Sequence, residues 1–338
     1  MTKIAEPSKG KLKLSWSDRL DLIKNNRIVA AITPFALLAI IYIIFVPLVS
    51  INGGDFLKGS VVQGIVNQGI IYATLATSVS LIYSMGDLDI SIGAVMALGA
   101  VLGANTYNAT GNVALMLVVT IGVCILLMLF NCTLGALLHM KSMTIAIVMM
   151  QIYSQLAIKL IGSTGKINVD YDMCKGLEKV FRYPAFIGFF VVVFILYRFT
   201  ALGRSLRFMG GNPNCAEQTG FKTIRIRYTA NFLAGIGVGI ASVLTIVRTG
   251  SVSTDTGSSM GMYCMLMTTL GGMSIFGGAK SNSYAGFVGA LTYAALNKGL
   301  LMVGCDTTTV QAIRGVIFIA LVYLNSERSH TLPSRQML

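Results

Sequence analysis

Apolar residues run through this chain in long blocks, without the alternation of a half-buried strand or the seven-residue repeat of a coiled coil. A helix needs roughly 20 apolar residues to cross a hydrocarbon core of about 30 Å, so each block predicts one span. The first covers about 28–50, with Pro47 set to bend its far end, and Asn52-Gly-Gly-Asp55 separates it from a second at about 61–84. Three more follow at about 90–107, 112–138 and 143–162. A polar loop at 163–183 leads to Pro184, which opens a sixth span closing near Thr200. After a basic interval at 201–227 come four further blocks, at about 228–249, 260–276, 283–303 and 308–325. The pattern predicts an all-α polytopic membrane protein of about ten transmembrane helices. A transmembrane domain at 28–325 lies between a polar leader, 1–27, and a short tail, 326–338.

Composition agrees, since 54% of residues are hydrophobic and only 12% charged, about half the charge of a soluble domain. A net charge of +13 suggests nucleic-acid binding in other settings. Here the basic residues cluster between apolar blocks, as topology signals do, and the partner they suit is anionic membrane lipid. The leader holds Lys3, Lys9, Lys11, Lys13, Arg19, Lys24 and Arg27, and the 198–227 segment holds Arg198, Arg204, Arg207, Lys222, Arg225 and Arg227. An even number of spans then puts both termini on the cytoplasmic side of the membrane. The 163–183 loop falls outside, where Asp170, Asp172 and Glu178 offset Lys166, Lys175, Lys179 and Arg182. The polar leader is not a cleavable signal peptide, so the first span is expected to stay in the membrane.

Chemistry of the chain's own is not visible. Six scattered cysteines lack disulfide or metal-ligand spacing. Gly162-Ser-Thr-Gly165-Lys166 misses the phosphate-loop pattern, and no nucleophile–base pair stands out. The chain reads as no enzyme, with no cofactor or metal of its own. Gly99-x-x-x-Gly103 and Gly235-x-x-x-Gly239 each place two glycines on one helical face, which predicts close helix packing. Spans 2–5 and 7–10 have similar lengths and start on opposite sides, as inverted repeats would. Asn67, Gln68 and Thr74 in the second span are candidates to line a path for a neutral solute. Arg314 sits too deep in the last span for easy escape and is expected to face inward, with Asp306 as a candidate partner. Arg248 and Lys298 read as anchors reaching the interface. In the acidic turn at 86–91, Asp89 or Ser91 suits the N-cap of the third span, while Asp87, Asp89 and Ser91 are alternatively path-lining.

Within the basic interval, Asn212 is a good N-cap, Pro213 suits the first helical position and Gly220 is a plausible stop. They outline a helix of about two turns, too short to be stable without a surface to pack on. Gly203-Arg204 with Gly210-Gly211-Asn212-x-x-x-Ala216-x-x-x-Gly220 resembles the coupling segment of ribose-type ABC sugar permeases. Two further blocks agree in order and spacing. Gly86-Asp87-Leu88-Asp89-Ile90-Ser91-Ile92-Gly93 resembles that family's Gly-x-Asp-Leu-Ser-x-Gly segment, with an extra acid. Leu270-Gly271-Gly272-Met273-Ser274-Ile275-Phe276-Gly277-Gly278 is similar to its Gly-Gly-x-Ser-Leu-x-Gly-Gly turn.

The resemblance implies a homodimer, or a pair with a similar permease, seated on ATPase subunits that bind ATP and magnesium and fed by an extracytoplasmic sugar-binding protein. It implies ATP-driven alternating access that imports a monosaccharide such as ribose, galactose or xylose. It also implies that Arg204, Gly211, Asn212, Pro213, Ala216, Glu217 and Gly220 couple the permease to the ATPase. The same architecture carrying nucleosides or another small polar solute is one alternative, and an ATP-independent secondary transporter is another. On the coupling reading, a bulky or charged residue at Ala216 is expected to uncouple transport while leaving the protein inserted.

Overall fold

The computed structural model describes residues 27–274, 277–278, 281–282 and 284–325. All of the leader but Arg27, the tail 326–338, and Ile275 and Phe276 of the third motif block lie outside the described residues. Twelve described α-helices follow in order: α1 (Arg27–Ile51), α2 (Gly59–Ser84), α3 (Ile92–Thr110), α4 (Val113–Leu138), α5 (Ser142–Ile161), α6 (Tyr171–Phe199), α7 (Ala201–Gly211), α8 (Pro213–Gln218), α9 (Thr223–Thr249), α10 (Met260–Leu270), α11 (Ala285–Met302) and α12 (Thr307–Asn325). All but α7 and α8 take the ten predicted span positions. Six of these, α1, α2, α4, α5, α6 and α9, are long and apolar enough to cross a membrane on those grounds alone.

Burial sorts the helices into an inner and an outer set. The apolar stretch of α2 is 83% buried and that of α9 is 72% buried, against 22% in α4 and α6. Ile43, Leu126, Val148 and Val192 on α1, α4, α5 and α6 stay exposed, and such side chains suit only a lipid surface. The chain is an all-α polytopic membrane protein. Inside it, several buried hydroxyls bond within their own helix. Along α2, Thr74 donates to the Ile70 carbonyl at 2.8 Å, Ser78 to Thr74 at 2.6 Å and Ser84 to Ser80 at 2.6 Å, which lets polar residues sit at depth without other partners.

Packing follows the repeat pattern. α2 lies along α11 as α9 lies along α4, α3 packs on α4 as α10 packs on α11, and α2 and α9 meet each other. Exchanging α2–α5 with α9–α12 preserves these pairings. α1 and α6 stand outside the exchange, α1 against α11 and α6 against α9 and α2. The glycine pairs make the pattern possible. A Cβ on Gly103 would stand 1.9 Å from Thr120 Oγ1, and one on Gly235 or Gly239 would stand 2.7 Å from the Cα of Ile125 or Ile121. Both predicted motifs therefore grip α4, one from α3 and one from α9.

Three boundaries differ from the sequence reading. The 163–183 segment is not a loop throughout: α6 begins at Tyr171, where the Asp170 side chain accepts from the Asp172 N–H, and Pro184 lies inside the helix. The upstream cap won over the proline, which membrane helices tolerate. Lys175, Lys179 and Arg182 thus lie on α6, where Arg182 pairs with Glu178. α10 stops at Leu270, because Gly272 turns the chain at φ +79°. At about 1.5 Å per residue its 11 residues span roughly half the hydrocarbon core. Between α10 and α11 Met273 and Ser281 are buried, as residues of non-helical chain at membrane depth must be. The 201–227 interval also holds a helix that the sequence reading missed, α7.

Short strands Lys166–Asn168 and Ser251–Ser253 pair antiparallel, Ile167 opposite Val252. They tie the α5–α6 connection to the α9–α10 connection at the end opposite α7 and α8. Gly239→Leu is expected to drive a side chain into the α4 backbone and cost roughly 1–3 kcal/mol. Gly122→Ala, whose Cβ meets nothing within 4 Å, serves as control. Melting of the two detergent-solubilised variants should differ by several degrees; equal melting would refute the clamp on α4.

Candidate functional site

The residues with the most constrained surroundings gather at the basic end. α8 forms as its local signals require. The Asn212 side chain accepts from the Cys215 N–H at 3.1 Å, Pro213 fills the first turn, and Gly220 takes a left-handed φ of +84°. Six residues cannot hold a helix alone; Ala216, fully buried, seats it on the bundle. Ala216, expected among the coupling residues, is thus the anchor of α8, and a bulky replacement would dislodge α8 itself. Gly211, Asn212, Pro213, Cys215, Glu217 and Gly220 are exposed, as is Arg204 on α7. An open groove of about 440 Å³ runs beside them, lined by Arg204, Arg207, Phe208, Gly211, Asn212 and Cys215.

Beneath α8 the three motif blocks meet. A Cβ on Gly210 would fall 2.1 Å from the Ser84 carbonyl and 2.4 Å from the Gly278 nitrogen. Gly277, at φ +72°, is pressed as closely against the Tyr83 and Ser84 carbonyls and the Gly86 nitrogen. The Gly278 N–H donates to Ser84 O at 3.2 Å. Tyr197 fastens the junction from α6: its hydroxyl lies 2.9 Å from Ser84 Oγ and donates to the Ser281 carbonyl at 3.1 Å. Arg207 lies over the Tyr197 ring and donates from Nε to the Gly203 carbonyl at 3.1 Å. Tyr197 and Ser281 belong to none of the predicted sites, and no sequence pattern marked them.

The acidic turn divides its two carboxylates. Asp89 is buried, and its Oδ1 accepts from the Ser91 N–H at 2.8 Å and from Ser91 Oγ at 2.6 Å. Asn131 on α4 donates to Ser91 Oγ at 2.8 Å, and Tyr153 on α5 donates to Asn131 Oδ1 at 2.8 Å. Burial pushes the Asp89 carboxyl up, and the Ser91 hydrogen bonds oppose the shift. Asp87 pairs with Arg227 at the start of α9 at 3.3 Å; burial raises its carboxyl too, against the pull of that arginine. Asp89 and Ser91 thus order the entrance to α3, and Asp87 ties the turn to the start of α9.

The remaining candidates lie toward the other end. Thr74 is fully buried and back-bonded, and Asn67 is half-buried with an amide oxygen that finds no partner. Gln68 is half-buried and hydrogen-bonded to Tyr72. Arg314 faces inward as expected, but its partner is Asn297 on α11 and not Asp306. Asp306 instead caps α12, accepting from the Thr308 N–H at 3.2 Å and from the Thr309 hydroxyl. The Arg314 guanidinium lies 5.0 Å from the Tyr263 ring centre and 5.2 Å from that of Tyr293. Arg248, expected to reach the interface, is half-buried with one guanidinium nitrogen unpartnered, whereas Lys298 is exposed. Among the described residues no group of three or more potential metal ligands occurs.

Gly210→Ala is expected to part the junction and lower transport at least tenfold at equal membrane abundance, whereas Gly211→Ala, with open space around its Cβ, stays near wild type. Equal activity of the two would remove the functional weight placed on this contact.

Comparison with known proteins bears on the same segments. The family model described as branched-chain amino acid transport system / permease component matches residues 61–322. The L-arabinose ABC transporter permease protein AraH of Azospirillum brasilense is 25% identical over 86% of this chain and 87% of its own length. The fructose import permease protein FruF of Bifidobacterium longum is 26% identical over 96% and 94%. The ribose import permease protein RbsC of Bacillus subtilis is 24% identical over 85% and 91%. No solved structure matches. With the match running from the start of α2 into α12 and across all three motif blocks, the chain belongs to the branched-chain amino acid transport system permease family, whose members are transport proteins and not enzymes.

Proposed function

We propose that this chain is the membrane-spanning subunit of an ABC importer that moves a monosaccharide inward by ATP-driven alternating access. The observation that carries the reading is the junction around Gly210, where the last turn of α7, next to α8, meets the end of α2 and the α10–α11 turn backbone to backbone. An ATPase that grips the exposed side of α8 and the adjoining groove moves all three together. ATP and magnesium belong to that ATPase. A second copy of this chain, or a similar permease, completes the membrane unit, and an extracytoplasmic binding protein delivers the solute. The basic end, with Arg204, Arg207 and Lys222, lies in the cytoplasm, as do both termini.

A sugar is favoured as cargo because the relatives above carry names of arabinose, fructose and ribose transport. Ionisable groups that titrate during proton-coupled transport are carboxylates deep within a span. Here Asp87, Asp89 and Asp306 lie between spans or at a cap, and Glu178 is paired with Arg182, which favours the ATP-driven reading over a secondary transporter.

Cys215 is exposed on α8 and reports both orientation and docking. A membrane-impermeant maleimide should label it in inside-out vesicles but not in intact cells, and co-produced ATPase should protect it. Labelling from outside would reverse the topology, and labelling unaffected by the ATPase would reject α8 as the dock. For the cargo, uptake of labelled ribose, arabinose, fructose, galactose and xylose is compared in cells with and without the chain, nucleosides and leucine serving as competitors. Loss of one sugar's uptake on deletion is expected; loss of nucleoside or amino-acid uptake alone would move the cargo to that class.

A further inference from the structure

At the end opposite α8, four helices bring a polar and aromatic cluster together inside the bundle. Tyr72 comes from α2, Tyr263 from α10, Tyr293 and Asn297 from α11, and Arg314 from α12. The Tyr293 ring lies 5.2 Å from Tyr72 and 5.4 Å from Tyr263, centre to centre. The Arg314 guanidinium covers Tyr263 and Tyr293 and donates to Asn297 Oδ1. Neither ion pair among the described residues involves Arg314.

Two atoms here have no partner: the Tyr293 hydroxyl, on a side chain fully buried, and Arg314 Nε. Buried polar groups without a hydrogen bond are costly and rare. Phenylalanine at 293 would fill the same space without that cost, so packing does not explain the hydroxyl. Thr77 Oγ1 and Ser281 Oγ are likewise unpartnered but stand apart, whereas Thr74, Ser78 and Ser84 on α2 and the Asp89–Ser91–Asn131–Tyr153 chain are satisfied. This cluster gathers two such atoms beside aromatic rings.

We propose that Tyr293, Arg314 and Asn297, flanked by the Tyr263 and Tyr72 rings, form a solute-contacting site for a polyhydroxylated, uncharged ring such as a monosaccharide. The proposal rests on the sugar-importer reading above and adds the residues that touch the cargo. Aromatic faces suit the C–H faces of a sugar, and the phenol, guanidinium and amide supply donors and acceptors in the number its hydroxyls need. The site also connects to the junction. Tyr72 and Ser84 ride on the same helix, α2, about 18 Å apart at 1.5 Å per residue, and α2 has no proline between them. Rearrangement at Gly210 therefore shifts Tyr72 against Tyr293.

The test is Tyr293→Phe in the intact transporter, with sugar uptake, membrane abundance and ATPase activity without sugar measured together. Uptake is expected to fall about tenfold, the worth of one hydrogen bond to the solute, while abundance and sugar-free ATPase activity stay at wild-type levels. Arg314→Lys, which keeps the charge and loses the planar fork, should likewise lower uptake and change the ranking among competing sugars. Wild-type uptake and ranking in Tyr293→Phe would overturn the assignment, whatever the lysine variant does. So would a fall in uptake that only matches a fall in abundance or in sugar-free ATPase activity. If the unaltered chain moves no monosaccharide, the functional reading fails; if it moves one and Tyr293→Phe moves it equally well, only this site fails.

Discussion

Around Gly210 three stretches of main chain approach so closely that no side-chain atom fits between them. The Ser84 carbonyl, the Gly278 nitrogen and the Gly210 Cα form a contact that any Cβ would break. Contacts made through long side chains yield when pushed, since rotamers are soft; backbone against backbone does not. Ala216 holds α8 to the bundle with its whole surface buried, and Tyr197 fixes Ser84 to Ser281 from the side. In the proposed mechanism a displacement of α8 has little to compress before it reaches α2 and the α10–α11 turn.

Those two receivers sit at the middle of the protein. α2 and α9 are the most buried of the long helices and pack on each other, and each lies along a helix from the other half. A repeat built this way places the same kind of close contact twice, glycine against Ile121 and Ile125 on one side and Gly286 against Ala76 and Thr77 on the other. Without a hydrophobic drive between helices in lipid, such close approach is the main source of association. Small residues therefore set how closely these helices approach.

Hydrogen bonding differs between the α2–α3 turn and the cluster at the other end. Near the basic end the hydrogen-bond chain from Tyr153 through Asn131 and Ser91 ends on Asp89, and Asp87 finds Arg227. These groups hold the α2–α3 turn in one arrangement. Near the other end Tyr293 and Arg314 keep unpartnered atoms, so the surroundings fix no single arrangement and leave donors for something else to meet. On the proposed function, a firmly bonded end beside α8 and an incompletely satisfied end opposite it suit a protein that binds solute weakly and moves it by force applied elsewhere.

Much of this was determined by the sequence alone, wherever the physics is local. Twenty-residue apolar blocks located the ten span positions because crossing length depends on one helix at a time. Asn212, Pro213 and Gly220 delimited α8 because caps act through neighbouring backbone groups. The two glycine pairs predicted close packing, although not that both would press on α4. Tertiary structure decided the rest. Pro184 lies inside α6 because Asp170 supplied an earlier cap, and α10 ends at Leu270, where Gly272 turns the chain at φ +79°. Ala216 faces inward, and Arg314 meets Asn297 in place of Asp306. The convergence of residues 84, 210 and 278 belongs to this second class. Which backbones touch across such separations depends on how whole helices stack, and no local pattern of apolar and polar residues encodes that stacking.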